Sequence, residues 1–530
     1  LNTEQLVEQL HNPNVYPHPV DAISTIETHI SVVFLTGDYA YKLKKPVDFG
    51  FLDFTSLSQR KKYCQLELEL NQRTAPLLYL DVIAVCLDPE TGLLNLQADI
   101  NSDLAIDYLV KMRQFDPAAL LSNYLVENSI SFEMIEKLSA QIAKFHLNAE
   151  KVKLDSELGQ PEVQLQPMLD NFPTLFKTFE DQITVSQLKQ LEAQTDRLFQ
   201  QLKPILIKRR QQGFVKACHG DLHLENIALI DGGPVLFDGI EFNDRFRWID
   251  VISDLSFLLI DLDIKQQKSA GLKVLSLYLN RTLDYKALNL LSFYRVYRAL
   301  VRAKINALRA AQFDESSDQG KAVRSKAKSY IDLACGYLET NTSPKCILLQ
   351  GVSGTGKSYF ANQLLIGLPN LNALIISSDR TRKTLYGIES THRVQEAEKR
   401  DLYSEDMNRQ TYQTMENNAE AALNAGFNVI IDATFLKHEH RQRFYAIASK
   451  NQAESYLISL EADKEFTKQA IQKRQQLNNN PSDADSEIML RQLKYFEPPM
   501  KQENALTLNA QKLRAEFPAK QLQNFLKLPI

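Results

Sequence analysis

A chain of 530 residues, 44% of them hydrophobic, is too long for one compact core and suits two to four domains. Its 61 Lys and Arg against 65 Asp and Glu leave a net charge of −4, which gives no electrostatic reason to grip a phosphate backbone, so nucleic acid is not an expected partner. No apolar run reaches the roughly 18 residues that span a bilayer, Leu1–Gln9 lacks the order of a signal peptide, and Cys64, Cys86, Cys218, Cys335 and Cys346 form no C-x-x-C pair. The expectation is a cytoplasmic chain with no membrane span, disulfide framework or zinc site.

In chain order, alternation at Ser31–Leu35, Ala40–Leu43, Val82–Leu87 and Ile106–Met112 predicts strands, with a helix over Ser58–Asn71, so residues 20–113 read as a small sheet carrying one helix. From Pro117 to Arg210 the apolar spacing turns helical, as at Ile135, Leu138, Ile142 and Phe145, with a looser polar stretch at Lys151–Pro167. Two short strands flank His219–Asn226, and helices return from Asp250 to Tyr337. Asn341–Pro344 is a breaker-rich joint. Beyond it, apolar strands at Cys346–Leu349, Ala373–Ile376, Val429–Ile431 and Tyr456–Leu460 alternate with helical segments, the pattern of a parallel α/β sheet over 345–515. Asn478–Pro481 reads as a turn and Glu487–Phe496 as a helix.

The first chemical signal is His219-Gly220-Asp221-Leu222-His223-Leu224-Glu225-Asn226, with Asn five residues after Asp, the spacing of the kinase catalytic loop H-R-D-x-x-x-x-N with Gly in place of Arg. In that chemistry Asp221 orients or deprotonates a substrate hydroxyl and Asn226 gives its amide oxygen to Mg²⁺. Twelve residues on, Leu236-Phe237-Asp238-Gly239 supplies an Asp leaving a strand, placed for a second metal contact. A charged stretch follows: Glu241, Arg245, Arg247, Asp250 and Asp254 around Trp248. Asp250 or Asp254 either binds the catalytic loop or starts a helix, and Trp248 reads as core.

The H-G-D-x-H-x-x-N form with Asp238 behind it resembles the aminoglycoside phosphotransferase and choline-kinase branch of the protein-kinase-like fold, over about residues 20–340. The resemblance implies an α+β bilobal domain, with an N-lobe at 20–113 and a helical C-lobe at 114–340. It implies structural roles for His219 and His223, and a lysine and glutamate pair that steadies the ATP phosphates. Lys42 is preferred for the lysine. Strand alternation puts Lys44 on the same face and Lys45 on the other, so Lys44 is the rival. Glu67 is preferred to Glu69. No G-x-G-x-x-G precedes Lys42, only Thr36-Gly37-Asp38, a departure from protein kinases that this branch commonly shares.

The second signal, Gly351-Val352-Ser353-Gly354-Thr355-Gly356-Lys357-Ser358, satisfies G-x-x-x-x-G-K-[ST] between a strand and a helix. Gly351, Gly354, Thr355 and Gly356 belong to the loop whose backbone N–H groups curl around phosphate oxygens. Lys357 reaches the β and γ phosphates, and Ser358 offers a hydroxyl to Mg²⁺. Asp432 ends an apolar strand at the Walker B position, and Thr434 is the rival reading of a turn cap there. Asp379, directly after the second strand, suits the base that activates a hydroxyl, and Arg382 the developing charge. No N-K-x-D sequence is present, which disfavours a GTPase.

These residues resemble a P-loop kinase group that includes zeta-toxin-like, gluconate-kinase-like and polynucleotide-kinase-like proteins. The resemblance implies Asp379 as base and lid arginines at Arg474 and Arg491. The tandem as a whole resembles a bacterial bifunctional aminoglycoside phosphotransferase/ATP-binding family. That likeness implies ATP and Mg²⁺ in each half and transfer of the γ-phosphoryl to a small-molecule hydroxyl. A nucleotide sensor with one non-catalytic half, an ATPase and a toxin-like kinase are the alternatives. True aminoglycoside binding would require Glu241, Asp254, Asp261 and Asp263 to converge, and the oligomeric state is open.

Overall fold

The computed structural model describes residues 2–50, 52–314, 316–339, 343–477 and 485–528, with backbone only at 396–397 and 474–477. The turn expected at Asn478–Pro481 lies outside the described residues, as do Asn341 and Thr342. Two compact units divide the chain. The first comprises Leu1–Met134, Lys144–Asp261 and Tyr297–Ile331, the second Ile135–Ala143, Leu262–Val296 and Asp332–Ile530.

The first unit opens with six antiparallel strands: β1 (Ser24–Glu27), β2 (Ser31–Leu35), β3 (Tyr39–Lys44), β4 (Tyr79–Leu87), β5 (Leu94–Gln97) and β6 (Ala105–Arg113). They lie in the order β1-β2-β3-β6-β4-β5. The four expected strands form its centre. The two edge strands are four residues each, too short to show a period.

Alternation along β3 decides what each face does. Tyr41 and Leu43 enter a core with Phe34 and Leu109, closed by Leu6 and Leu10 of an unexpected helix, Thr3–Leu10, which starts on an Asn2–Gln5 capping box. Ala40, Lys42 and Lys44 take the opposite face, where Ala40 packs with Cys64 of the helix Leu57–Gln72.

Farther on, β7 (Val215–Ala217) pairs with β10 (Trp248–Asp250), and β8 (Ile227–Ile230) with β9 (Gly233–Leu236). The loop His219–Asn226 therefore runs from the end of β7 to the start of β8, and β9 delivers Asp238. The helix Val251–Ile264 carries three acids, of which Asp254 and Asp261, two turns apart, are buried.

In the second unit β11 (Lys345–Gln350), β12 (Ala373–Ser377), β13 (Asn428–Asp432), β14 (Glu454–Glu461) and β15 (Ala505–Asn509) form a parallel sheet in the order β12-β13-β11-β14-β15. The sequence reading anticipates all but β15, which lies at an edge and is only half-buried. The carboxyl ends of β11, β12 and β13 lead into the P-loop, Asp379 and Asp432, as the crevice rule for open α/β sheets requires.

The other edge strand, β12, is covered by the helix Lys268–Thr282. Asn280 donates to the Ile375 carbonyl at 2.7 Å and accepts from Ser377 N at 3.2 Å, while Ser276 Oγ accepts from Ile375 N at 3.1 Å. Two side chains thus satisfy the open ladder of an edge strand, and this helix, though it lies before position 340, belongs to the P-loop unit.

Candidate active sites

In the first unit, Lys42 and Lys44 share one carboxylate. Lys42 Nζ donates to Glu67 Oε1 at 2.9 Å and to Asp238 Oδ1 at 2.6 Å, while Lys44 Nζ donates to Glu67 Oε2 at 2.5 Å and to Glu241 Oε1 at 2.5 Å. The preferred lysine and its rival therefore divide the work by depth. Lys44, Glu67 and Glu241 are at most 5% exposed, whereas Lys42 is 12% and Asp238 43% exposed, so only the Lys42–Asp238 end meets solvent.

Electrostatics follows burial. Burial pushes the Glu67 carboxyl up, but Lys42 and Lys44 outweigh it and hold it at about 2. The Lys42 ammonium, which burial disfavours, is kept charged by Asp238 and Glu67. For Glu241 burial wins over Lys44 and raises the carboxyl. Glu69 has no part in this network, and Lys45 pairs with Glu27 at the surface.

The residues of the candidate catalytic loop are assembled by their own side chains. Asn226 Nδ2 donates to the Asp221 carbonyl at 3.0 Å and to Asp221 Oδ2 at 3.1 Å, which leaves the Asn226 amide oxygen outside these bonds. His223 Nδ1 accepts from Glu225 N at 3.2 Å, so the proton sits on Nε2, which lies 3.2 Å from Asp221 Oδ2. Burial pushes Asp221 up, but His223 and Arg302 more than offset it and keep the carboxylate ionised.

His219 bolts this loop to the Asp238 segment. Its Nε2 donates to the Phe237 carbonyl at 2.9 Å and its Nδ1 accepts from Asp221 N at 3.3 Å, which requires a neutral ring, and burial lowers its pKa in that direction. Gly220 has φ +86°, and a Cβ there would stand 2.8 Å from the Phe246 carbonyl, so the residue between His219 and Asp221 cannot be the usual arginine. Asp238 itself sits at φ +59°, held by Tyr79 OH on its N–H and by Asn71 Oδ1 on the N–H of Gly239.

The alternatives left open for the charged stretch resolve cleanly. Asp254 accepts from His219 N at 3.0 Å and Gly220 N at 2.8 Å, while Asp250 takes Arg209 through two nitrogens at 2.7 and 2.9 Å. Asp254 is the loop anchor and Asp250 a partner of the long helix Gln182–Gln211. Asp261 accepts from Leu224 N and Tyr330 OH. Glu241, Asp254, Asp261 and Asp263 each have a different partner, Asp263 being bound by Tyr337.

In the second unit a cavity of about 1250 Å³ is lined by Gly354, Gly356, Lys357, Ser358, Asp379, Arg382 and Asp432 among others. Ser358 Oγ donates to Asp432 Oδ2 at 2.6 Å, which joins the two residues expected at the metal. Burial raises the Asp432 carboxyl against the pull of Lys357. Lys357 Nζ donates to the carbonyls of Gly351 at 2.8 Å and Val352 at 3.1 Å, and Thr355 Oγ1 braces the loop on Val352 at 2.9 Å. Gly354 has φ +91°, and a Cβ would lie 2.9 Å from the Thr467 carbonyl.

Arg382 reaches Asp379 Oδ1 and Asn408 Oδ1, both at 3.1 Å, and lies over the Tyr403 ring, so it fixes the carboxylate beside the cavity. Arg491, by contrast, is 69% exposed, 3.7 Å from Glu487, and does not line the cavity, while the Arg474 side chain lies outside the described residues. Lys473 and Arg514 are among the cations that do line it. Sequence reasoning passed over them, and over Gln492 beside Arg491, because one exposed helix face looks like another without its neighbours.

Residues 346–499 match the family model of the AAA domain. Uncharacterized proteins of Mycobacterium bovis and Mycobacterium tuberculosis are each 29% identical over 423 residues, covering 79% of this chain and 80% of theirs. A choline/ethanolamine kinase family protein from Mesorhizobium loti shares 11% identity over 64% of this chain and 94% of its own, with a TM-score of 0.38. A gluconokinase from Sinorhizobium meliloti shares 16% over 35% of this chain and 91% of its own, with a TM-score of 0.24. The segment that matches the AAA domain carries its P-loop on a five-stranded parallel sheet, and the chain before it opens with a six-stranded antiparallel sheet and continues mainly as helices.

Proposed function

We propose that the protein is a tandem phosphotransferase in which each half binds Mg-ATP and passes the γ-phosphoryl to the hydroxyl of a small molecule. What supports this is that each site combines three separate parts: a lysine for phosphate, a pair for the metal and a further carboxylate for the hydroxyl. In the first these are Lys42, Asn226 with Asp238, and Asp221. In the second they are Lys357, Ser358 with Asp432, and Asp379. Catalysis of phosphoryl transfer is mostly positioning and charge stabilisation, which these parts provide. Mg²⁺, which Asn226 with Asp238 and Ser358 with Asp432 would hold, would supply neutralisation of phosphate charge, while His223 and Arg382 hold Asp221 and Asp379 in place.

The reading places the protein in the cytoplasm without a nucleic-acid partner. In support, all five cysteines are free, and among the described residues no helix is long and apolar enough to cross a membrane. A sensor role for the first half is the second reading, favoured by the short Thr36–Asp38 turn where a phosphate-covering flap would stand. The test is incubation of the full chain with labelled ATP, Mg²⁺ and a metabolite panel, beside Asp221→Ala and Asp379→Ala. Transfer lost in one variant assigns the half. Nucleotide binding without transfer in the first half supports the sensor, and absence of Mg-dependent nucleotide binding in both overturns the proposal.

A further inference from the structure

The helix Ser486–Lys494 starts on Asp485, whose Oδ1 accepts from the N–H groups of Glu487 and Ile488 at 3.0 and 2.9 Å. Met489 and Gln492, three apart, share one face. Met489 is buried against Val352 and Ile471, and Gln492 Oε1 accepts from Ser353 N at 2.7 Å. One helix thus holds two consecutive P-loop residues, one by an apolar contact and the next by a hydrogen bond. Just beyond it, Glu497 is pinned at the carboxyl end of the central strand β11: its carbonyl accepts from Gln350 Nε2 at 2.8 Å and its N–H donates to Leu436 O at 2.8 Å.

Ser353 lines the cavity, and its N–H already has a partner in Gln492. Lys357, which meets the β and γ phosphates in such loops, rests its Nζ on the carbonyls of Gly351 and Val352, the two residues before Ser353. The Ser353 N–H therefore lies at the terminal-phosphate end. A single N–H cannot serve Gln492 and a phosphate oxygen together, and the charged oxygen, with about twice the strength of a neutral acceptor, takes it.

Resting on the reading of this loop as a nucleotide site, we propose that Gln492 is a specificity-determining residue that makes the site distinguish a nucleoside triphosphate from a diphosphate. A triphosphate must displace the Gln492 amide from Ser353, whereas a diphosphate stops short and leaves it in place. The amide therefore lowers triphosphate affinity by the worth of one neutral hydrogen bond and leaves diphosphate affinity unchanged.

The test uses the full chain carrying Asp238→Ala, which removes the metal contact of the other site, and calorimetric titration with Mg²⁺ plus a non-hydrolysable ATP analogue or ADP. Gln492→Ala is expected to tighten the triphosphate analogue by about three- to tenfold, the worth of one hydrogen bond, with ADP unchanged. Gln492→Glu, whose charge holds the N–H harder and repels the terminal phosphate, is expected to weaken the analogue more than ADP. Lys357→Ala separates the two claims. If binding is missing, or survives Lys357→Ala intact, the nucleotide reading itself fails and the proposal with it. If Lys357-dependent binding is present but the ratio of the two affinities is the same with Gln, Ala and Glu at 492, the reading stands and the role of Gln492 is overturned, as it is if Gln492→Ala weakens the analogue.

Discussion

The lysines proposed to face phosphate, Lys42 and Lys357, are held by different means. Lys42 meets carboxylates 25 and 196 residues away, and Lys44 adds a third from 197 residues away, all side chain to side chain. Lys357 rests on main-chain carbonyls five and six residues before it. The first site is a charge network that the fold must close over long distances, and it is part of what holds that fold together. The second is a property of one short stretch of backbone, and its charged side chains face a cavity.

The sharpest way to break this contrast is to remove one carboxylate from each site. Glu67→Ala leaves two buried ammonium groups without their shared partner and is expected to destabilise the protein by about 3–5 kcal/mol, read as a lowered urea midpoint. Asp432→Ala, where burial already disfavours the charge, should cost about 1 kcal/mol or less. Equal losses would show that the second site is as structural as the first.

Lys357→Ala should cost about 2–5 kcal/mol of nucleotide binding at the second site, measured by titration in the Asp238→Ala background, while its urea midpoint barely moves. A smaller effect is tied to acid. Because Glu67 is lowered from 4.5 to about 2 in the folded protein, the stability it contributes is fully present above about 4.5 and fades as the pH falls toward 2. The difference in melting temperature between the natural protein and Glu67→Gln should therefore shrink across that window, and a difference that grows on acidification would contradict the pairing. Smallest of all, Arg491→Ala should leave nucleotide affinity within about 0.5 kcal/mol, whereas Lys473→Ala, on the cavity, should weaken it measurably.

The same contrast explains what could be read in advance. The P-loop, Asp379 and Asp432 were legible because their chemistry is local: a strand end, a turn and a helix start bring Gly351–Ser358 into shape, and parallel strands aim the two acids at one edge. The placement of Asp221 beside Asn226 was legible for the same reason, through their fixed spacing. Assigning Lys42 and Lys44 was harder, since alternation puts both on one face and only the third dimension shows one solvent-facing and one sealed. Glu241 could not be matched to Lys44 from spacing at all. Nor could Asp254 be separated from Asp250, four residues earlier, until the helix start showed which one points back at His219. The short edge strands and β15 carry too few residues for a period to emerge.

The cover that Asn280 and Ser276 place on β12 bears on how this protein can be dissected. A gene cut at the breaker-rich joint would yield a C-terminal fragment whose outermost strand has lost its lid, with the Ile375 and Ser377 amides open to a neighbouring molecule. Such a fragment should self-associate or precipitate rather than behave as an independent module, so binding measured on it would report the damage. A truncation meant to isolate the P-loop has to carry Leu262–Val296 with it, and the two proposed activities are more safely separated by point substitution within the intact polypeptide.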